Sequence, residues 1–286
     1  MKKIAVIDIG SNSVRLMFVA DGKILYKDLE ITRLGEGLAS SGVLGEAAIS
    51  RTASAVANFY RRALLEGAET VNAFATAAVR SAKNGQDFVK SVKALCGLTV
   101  EVISGEEEAE IGILGALGER DGGIIDVGGA STEIIVREKG EIVYKKSVDV
   151  GVVRLKDVCG RDKEMLSDYA KTSVGLFGSI PKTKMFAIGW TATSIASIVL
   201  RQKVYNVAEV TGYSLRKTHL KSAVEYLTTA SPEEVSTETC VPLKRAEVIL
   251  GGAIWLLTLM EDLGIEEITA SDADNLEGYA IKHKLM

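Results

Sequence analysis

The sequence predicts an α/β protein made of two copies of one unit, each with a mixed sheet. Three observations carry that prediction. The first is an internal repeat: KKIAVIDIGSNSVRLMFVADGKILYK, from Lys2, aligns without gaps on GGIIDVGGASTEIIVREKGEIVYK, from Gly122. At this constant offset of 118 positions, Asp8 falls on Asp126, Gly10 on Gly128, Ser13 on Ser131, Gly22 on Gly140, Ile24 on Ile142, Tyr26 on Tyr144 and Lys27 on Lys145. The second is the change of period within each copy. Short apolar runs separated by Gly-containing turns give way to apolar residues at helical spacing. The third is composition, rich in Ala, Val, Ile and Gly and poor in aromatics, with only three prolines.

Each copy opens as a three-stranded meander. An apolar strand ends in Asp (AVIDIG, GIIDVG) and a Gly/Ser turn follows. A second strand (VRLMFVA, TEIIVRE) then leads through Gly22 or Gly140 into a third (ILYKDLEIT, EIVYKKSVD). In the first copy, 46–67 reads as an amphipathic helix, 71–76 as a buried strand, 86–95 as a helix, 99–104 as a strand and 106–117 as a helix. In the second, helices are expected near 163–177, 191–201, 216–228, 243–263 and 276–284, with strands at 184–189 and 265–272. The alternation implies mixed sheets. A boundary near Arg120 gives domains 1–119 and 120–286, with the C-terminal helix 276–286 allowed to pack back on the first.

Composition narrows the function classes. Apolar residues make up 47% and charged residues 25% of the 286 residues, and the formal net charge is −4. No basic balance or basic run is present, so no nucleic-acid partner is expected. An anionic small molecule remains compatible with a locally positive site. Cys96, Cys159 and Cys240 have no metal or redox spacing and read as buried reduced thiols. The apolar run at the N-terminus breaks at Asp8, and no stretch approaches a membrane span. No membrane partner and a cytoplasmic location are therefore expected.

The chemistry concentrates at the two repeat-equivalent turns, DIGSNS (8–13) and DVGGAST (126–132). Loops of small residues leave backbone N–H groups free to face phosphate oxygens. Ser11, Asn12, Ser13, Gly128, Gly129, Ser131 and Thr132 are the candidate phosphate-binding residues. Hairpin turns alone explain one such loop; two at equivalent positions favour a site. Asp8 and Asp126 close their strands and either start the turns or help to hold Mg²⁺. Arg15 and Arg80, the latter placed in a loop after a buried strand, are either solvated or phosphate-binding. In ISGEEEAE (103–110), Ser104 and Glu107 fit a helix capping box. Glu108 is not needed for the cap and is a candidate general base. FAIGWTATSIA (186–196) is a third strand–turn–helix, suited to a phosphate or a nucleoside.

Taken together, IDIGSNSVRL (7–16), ATAAVRSAKN (75–84), EVISGEEEAE (101–110), IIDVGGASTEI (124–134), IGWTATSIA (188–196) and RAEVILGGA (245–253) resemble the exopolyphosphatase/guanosine pentaphosphate phosphohydrolase (Ppx/GppA) family. That family lies within the actin-like ATPase superfamily. The resemblance implies two duplicated actin-like (ribonuclease H-like) domains with an interdomain cleft. It implies hydrolysis of terminal phosphate from polyphosphate, with short chains favoured here, or from pppGpp. It assigns Glu108 as catalytic base, Asp126 and Glu133 as catalytic acids that position water and Mg²⁺, and the SNS turn, Arg15 and Arg80 as phosphate binders; Asp8 stays a candidate metal ligand on the duplication alone. Mg²⁺ is the implied cofactor, a monovalent cation such as K⁺ is compatible, and a homodimer is allowed for. Ala130 and Trp190 stand where the family commonly has Gly, and SDADNLEGYA (271–280) departs from its GLREG-like segment. The alternatives are an ATP-dependent kinase or ATPase of the same superfamily, or a non-catalytic sensor of (p)ppGpp or polyphosphate.

Overall fold

The structure, a computed structural model, describes residues 2–286, without the side chains of Ala39 and Ser40. The chain opens with β1 (Lys3–Ile9), β2 (Ser13–Ala20) and β3 (Lys23–Ile31), followed by α1 (Leu38–Ser41), α2 (Glu46–Leu65) and β4 (Thr70–Ala75). Next come α3 (Ala77–Ser81), α4 (Gly85–Cys96), β5 (Val100–Val102) and α5 (Gly105–Leu117). The meander recurs as β6 (Gly122–Val127), β7 (Thr132–Glu138) and β8 (Glu141–Val148), then α6 (Val152–Cys159), α7 (Lys163–Val174), β9 (Met185–Ile188) and α8 (Gly189–Val199). The remainder is α9 (Val207–Val210), β10 (Ser214–Arg216), α10 (Lys217–Thr229), α11 (Pro232–Glu238), α12 (Leu243–Ala246), α13 (Ile249–Asp262), β11 (Glu267–Ala270) and α14 (Asn275–Lys282).

Two compact units result, Met1–Gly115 with Asn275–Met286, and Ala116–Asp274. The first holds a five-stranded sheet in the order β3-β2-β1-β4-β5. β1 runs antiparallel to β2 and parallel to β4. Strand alternation sends Ala5, Ile7 and Ile9 to one face, where Val56 and Phe59 of α2 and Phe88 of α4 cover them. Ile4 and Val6 go to the other face, against Ile111 of α5 and Leu276 and Tyr279 of α14. Tyr279 stacks on Phe74 with ring centroids 4.6 Å apart.

The second unit holds a six-stranded sheet in the order β10-β11-β9-β6-β7-β8. Trp255 of α13 is fully buried among Ile134, Ile195 and Leu220. Gly251 and Gly252 let α13 approach closely: a Cβ on Gly252 would lie 2.6 Å from Thr191 Cγ2.

The duplication extends into fine geometry. Each meander turns through a two-residue hairpin with positive φ at both residues, Asp21-Gly22 and Lys139-Gly140. Each second strand carries a register shift, at Phe18/Val19 and at Val136/Arg137. These positions correspond at the same offset of 118 residues.

Three sequence expectations need correction. Arg80 lies in α3, because ATAAVR closes a helical turn in which its N–H donates to the Thr76 carbonyl at 3.1 Å. The helix expected over 243–263 is interrupted between α12 and α13, where Arg161 Nη1 takes the Ala246 carbonyl at 3.2 Å. Of the cysteines only Cys159 is buried, and all three are free. Among the described residues, no helix is long and apolar enough to cross a membrane.

Candidate active site

The two glycine–serine turns are built alike. Gly10 N–H donates to the Ser13 carbonyl at 3.0 Å, and Gly128 N–H to the Ser131 carbonyl at 2.9 Å. Each turn is braced by the segment that follows its meander. Gly35 N–H donates to the Ser11 carbonyl and Val153 N–H to the Gly129 carbonyl, both at 2.8 Å. The braces occupy the loop carbonyls, which suits turns that present amides and hydroxyls to an anion. The braces correspond at the same 118-residue offset, Gly35 to Val153, but the residues there differ and no identity marks them in the sequence. Ser11 and Asn12 are exposed, while Ser13, Gly129 and Ser131 are half-buried.

The strands behind the turns set the charges. In the first unit Asp8 pairs in register with Arg15, and Arg15 with Leu29. Asp8 and Arg15 form an ion pair in which the Asp8 carboxylate is buried. The equivalent row in the second unit is Asp126, Glu133 and Ser147. Here two carboxylates stand directly opposite each other on antiparallel strands, where like charges repel. Ser147 Oγ donates to Glu133 Oε1 at 2.6 Å and fixes that side chain.

Among the described residues no group of three or more His, Cys, Asp or Glu side chains is placed to hold a metal ion. The donor set fits Mg²⁺, which takes one or two carboxylates and completes its shell with water and phosphate oxygens. It does not fit a four-ligand transition-metal site.

The Thr132 hydroxyl, expected as a phosphate donor, is taken up by the core. The side chain is fully buried on the Ile134 face of β7. Oγ1 donates to the Val150 carbonyl at 2.5 Å and accepts from Trp255 Nε1 at 2.8 Å. Strand alternation explains this, since Thr132 and Ile134 share the core face and Glu133 the opposite one.

In the first unit, Arg80 and Glu108 come together. Arg80 Nη1 lies 2.8 Å from Glu108 Oε2 and 3.0 Å from the Ile103 carbonyl. Both side chains are about a third exposed, at 33% and 28%, so they are joined yet reachable by solvent. Ser104 caps α5 by accepting from Glu107 N–H at 3.0 Å. The reciprocal half of the expected capping box is replaced: the Glu107 carboxylate accepts instead from Lys282 Nζ at 2.9 Å.

Gly189, in the FAIGWTATSIA turn, lies beside Asp126, a link that sequence reasoning did not draw. It has φ +77°, and a Cβ there would lie 2.5 Å from Asp126 Oδ1. The signal was its place at the strand–turn–helix junction, where close backbone approach needs Gly. Beside it, the Arg245 guanidinium sits 5.2 Å from the Trp190 ring centroid. Tyr205 donates to Asp272 Oδ1 at 2.5 Å. Burial, then that hydrogen bond, pushes the Tyr205 phenol well above its ordinary range.

Known proteins resemble this chain over its whole length. A sequence profile of the Ppx/GppA phosphatase family matches residues 16–284. An "Exopolyphosphatase 2" of Mycobacterium tuberculosis is 30% identical, with 98% of each chain covered. A "Guanosine-5'-triphosphate,3'-diphosphate pyrophosphatase" of Photobacterium profundum is 29% identical over 96% of this chain, which spans 58% of that longer relative. The crystal structure of the Aquifex aeolicus Ppx/GppA phosphatase, type II variant, superposes with a TM-score of 0.82 at 28% identity, covering 99% of both chains. The two mixed sheets, the duplicated turns and these matches agree: the chain belongs to the Ppx/GppA phosphatase family, and it is a hydrolase of phosphoanhydride bonds.

Proposed function

We propose that this enzyme releases the terminal phosphate of inorganic polyphosphate, favouring short chains, and of pppGpp, with Glu108 as the base that activates water. The observation that carries the reading is the carboxylate pair Asp126 and Glu133, in register on β6 and β7 where the first copy has Asp8 and Arg15. The first copy places opposite charges on this row; the second places two carboxylates there, donors that suit a divalent cation.

In this reading Asp126 and Glu133 hold Mg²⁺, which, when bound, neutralises charge on the phosphate oxygens. The Gly128–Ser131 turn next to that pair offers amides and the Ser131 hydroxyl to phosphate, and the equivalent Gly10–Ser13 turn offers the same groups with Ser11 and Ser13. Arg80 orients Glu108 through their contact at 2.8 Å. A water oxygen attacks the terminal phosphorus and its proton passes to a Glu108 oxygen. The bridging P–O bond breaks, and the electron pair leaves with the shortened chain. Asp8 is paired with Arg15, so we assign the metal to Asp126 and Glu133 first.

Phosphate release with Mg²⁺ from short polyphosphate, long polyphosphate, pppGpp and ATP tests the proposal. Release from polyphosphate or pppGpp supports it and ranks the substrates. Release from ATP alone would move the assignment to an ATPase. Tight binding without release would mark a sensor.

A further inference from the structure

The C-terminal helix grips the helix that carries Glu108. Gly278 of α14 lies against the α5 backbone, where a Cβ would meet the Ile111 carbonyl and lie 2.9 Å from the Gly115 nitrogen. Tyr279 donates to Glu101 Oε2 at 2.7 Å. Lys282 Nζ bridges two carboxylates of α5, Glu107 Oε1 at 2.9 Å and Glu110 Oε2 at 2.8 Å.

Residues three apart on a helix share a face, and successive residues do not. Glu107 and Glu110 therefore face α14, while Glu108 turns to Arg80. The start of α5 holds four acids, Glu106, Glu107, Glu108 and Glu110. Like charges this close repel one another. Without a cation on the α14 side, the Glu107 and Glu110 carboxylates repel each other and the acids beside them, which loosens the first turns of α5.

We infer that Lys282 is a positioning residue for the reaction: by neutralising Glu107 and Glu110 and tying them to α14, it fixes the first turns of α5 and with them the Arg80–Glu108 contact. This rests on the role given to Glu108 above. Lys282 touches neither the candidate base nor the arginine, so its effect passes through the two carboxylates.

The test is steady-state phosphate release by the full-length protein as wild type, Lys282→Met, Lys282→Arg and the triple variant Lys282→Met/Glu107→Gln/Glu110→Gln. Misplacing a reacting group by a fraction of an ångström predicts a loss of about tenfold in kcat for Lys282→Met, with KM changed less than about twofold. Arg restores the bridge, and removing both carboxylates removes the repulsion, so each is expected to recover kcat to within about threefold of wild type. Wild-type kcat in Lys282→Met overturns the inference. So does a loss that neither other variant recovers, which would mark a general need for α14 in the fold. Should Lys282→Met not fold, the triple variant decides by the same criterion. A wild-type enzyme that cleaves no phosphoanhydride removes the underlying reading; an active wild type with an unaffected Lys282→Met removes only this inference.

Discussion

Glu133 stands across the antiparallel ladder from Asp126, as Arg15 stands across from Asp8 at the equivalent place in the other copy. One backbone row thus supports an ion pair in one unit and a carboxylate pair in the other. The acidic pair is expected to cost stability when no cation is bound. Glu133→Gln should raise the unfolding free energy without Mg²⁺ by about 0.2–1 kcal/mol. It should also weaken the stabilisation that Mg²⁺ gives the wild type and lower turnover. Thermal unfolding with and without Mg²⁺ checks both; a variant destabilised in EDTA would show that the pair carries no repulsion.

Thr132→Val should behave as a core substitution. It leaves the Trp255 indole N–H without its acceptor at 2.8 Å. A cost of about 1–3 kcal/mol is expected from a buried donor losing its partner, with KM for substrate unchanged in the folded fraction. A large rise in KM at unaltered stability would return Thr132 to the phosphate site.

Gly189→Ala combines two penalties, a positive φ and a Cβ 2.5 Å from Asp126 Oδ1. The conformational term alone is about 1–2 kcal/mol. Displacement of Asp126 should also lower kcat and raise the Mg²⁺ concentration needed for half-maximal rate. Wild-type Mg²⁺ dependence would separate Gly189 from the acidic pair.

Lys282 also predicts a pH dependence of stability. Burial disfavours its charge, but hydrogen bonds to Glu110 and Glu107 outweigh that and hold its pKa above the ordinary lysine value. A raised folded-state pKa contributes stability that is fully present below the unfolded value, about 10.4, and lost as pH rises through the folded one. The stability gap between wild type and Lys282→Met should therefore be constant from about pH 7 to 9 and narrow only above about pH 10.4. A gap that closes near neutrality would contradict the ion-pair account.

Much of this was legible in the residues. The 118-residue repeat located both turns, both strand-end aspartates and the meanders, because the same backbone geometry demands Gly, Ser and Asp at the same places. Period-two alternation puts Thr132 on the same face as Ile134, a signal that the reading of the turn as a phosphate loop did not use. The Arg80–Glu108 contact joins α3 to α5 across 28 residues, and no local spacing encodes it. Lys282 meets Glu107 across 175 residues, through a helix that returns to the first sheet. Such contacts depend on which face of β1 remains for α14 to cover, which only the assembled sheet decides.

The most direct measurement is phosphate release from short polyphosphate, with saturating Mg²⁺, by wild type and Glu108→Gln, alongside substrate binding to each. Loss of a positioned general base predicts a fall of about 10²–10⁴ in kcat with binding retained. Turnover near the wild-type rate in Glu108→Gln would contradict the assignment of Glu108 as the base.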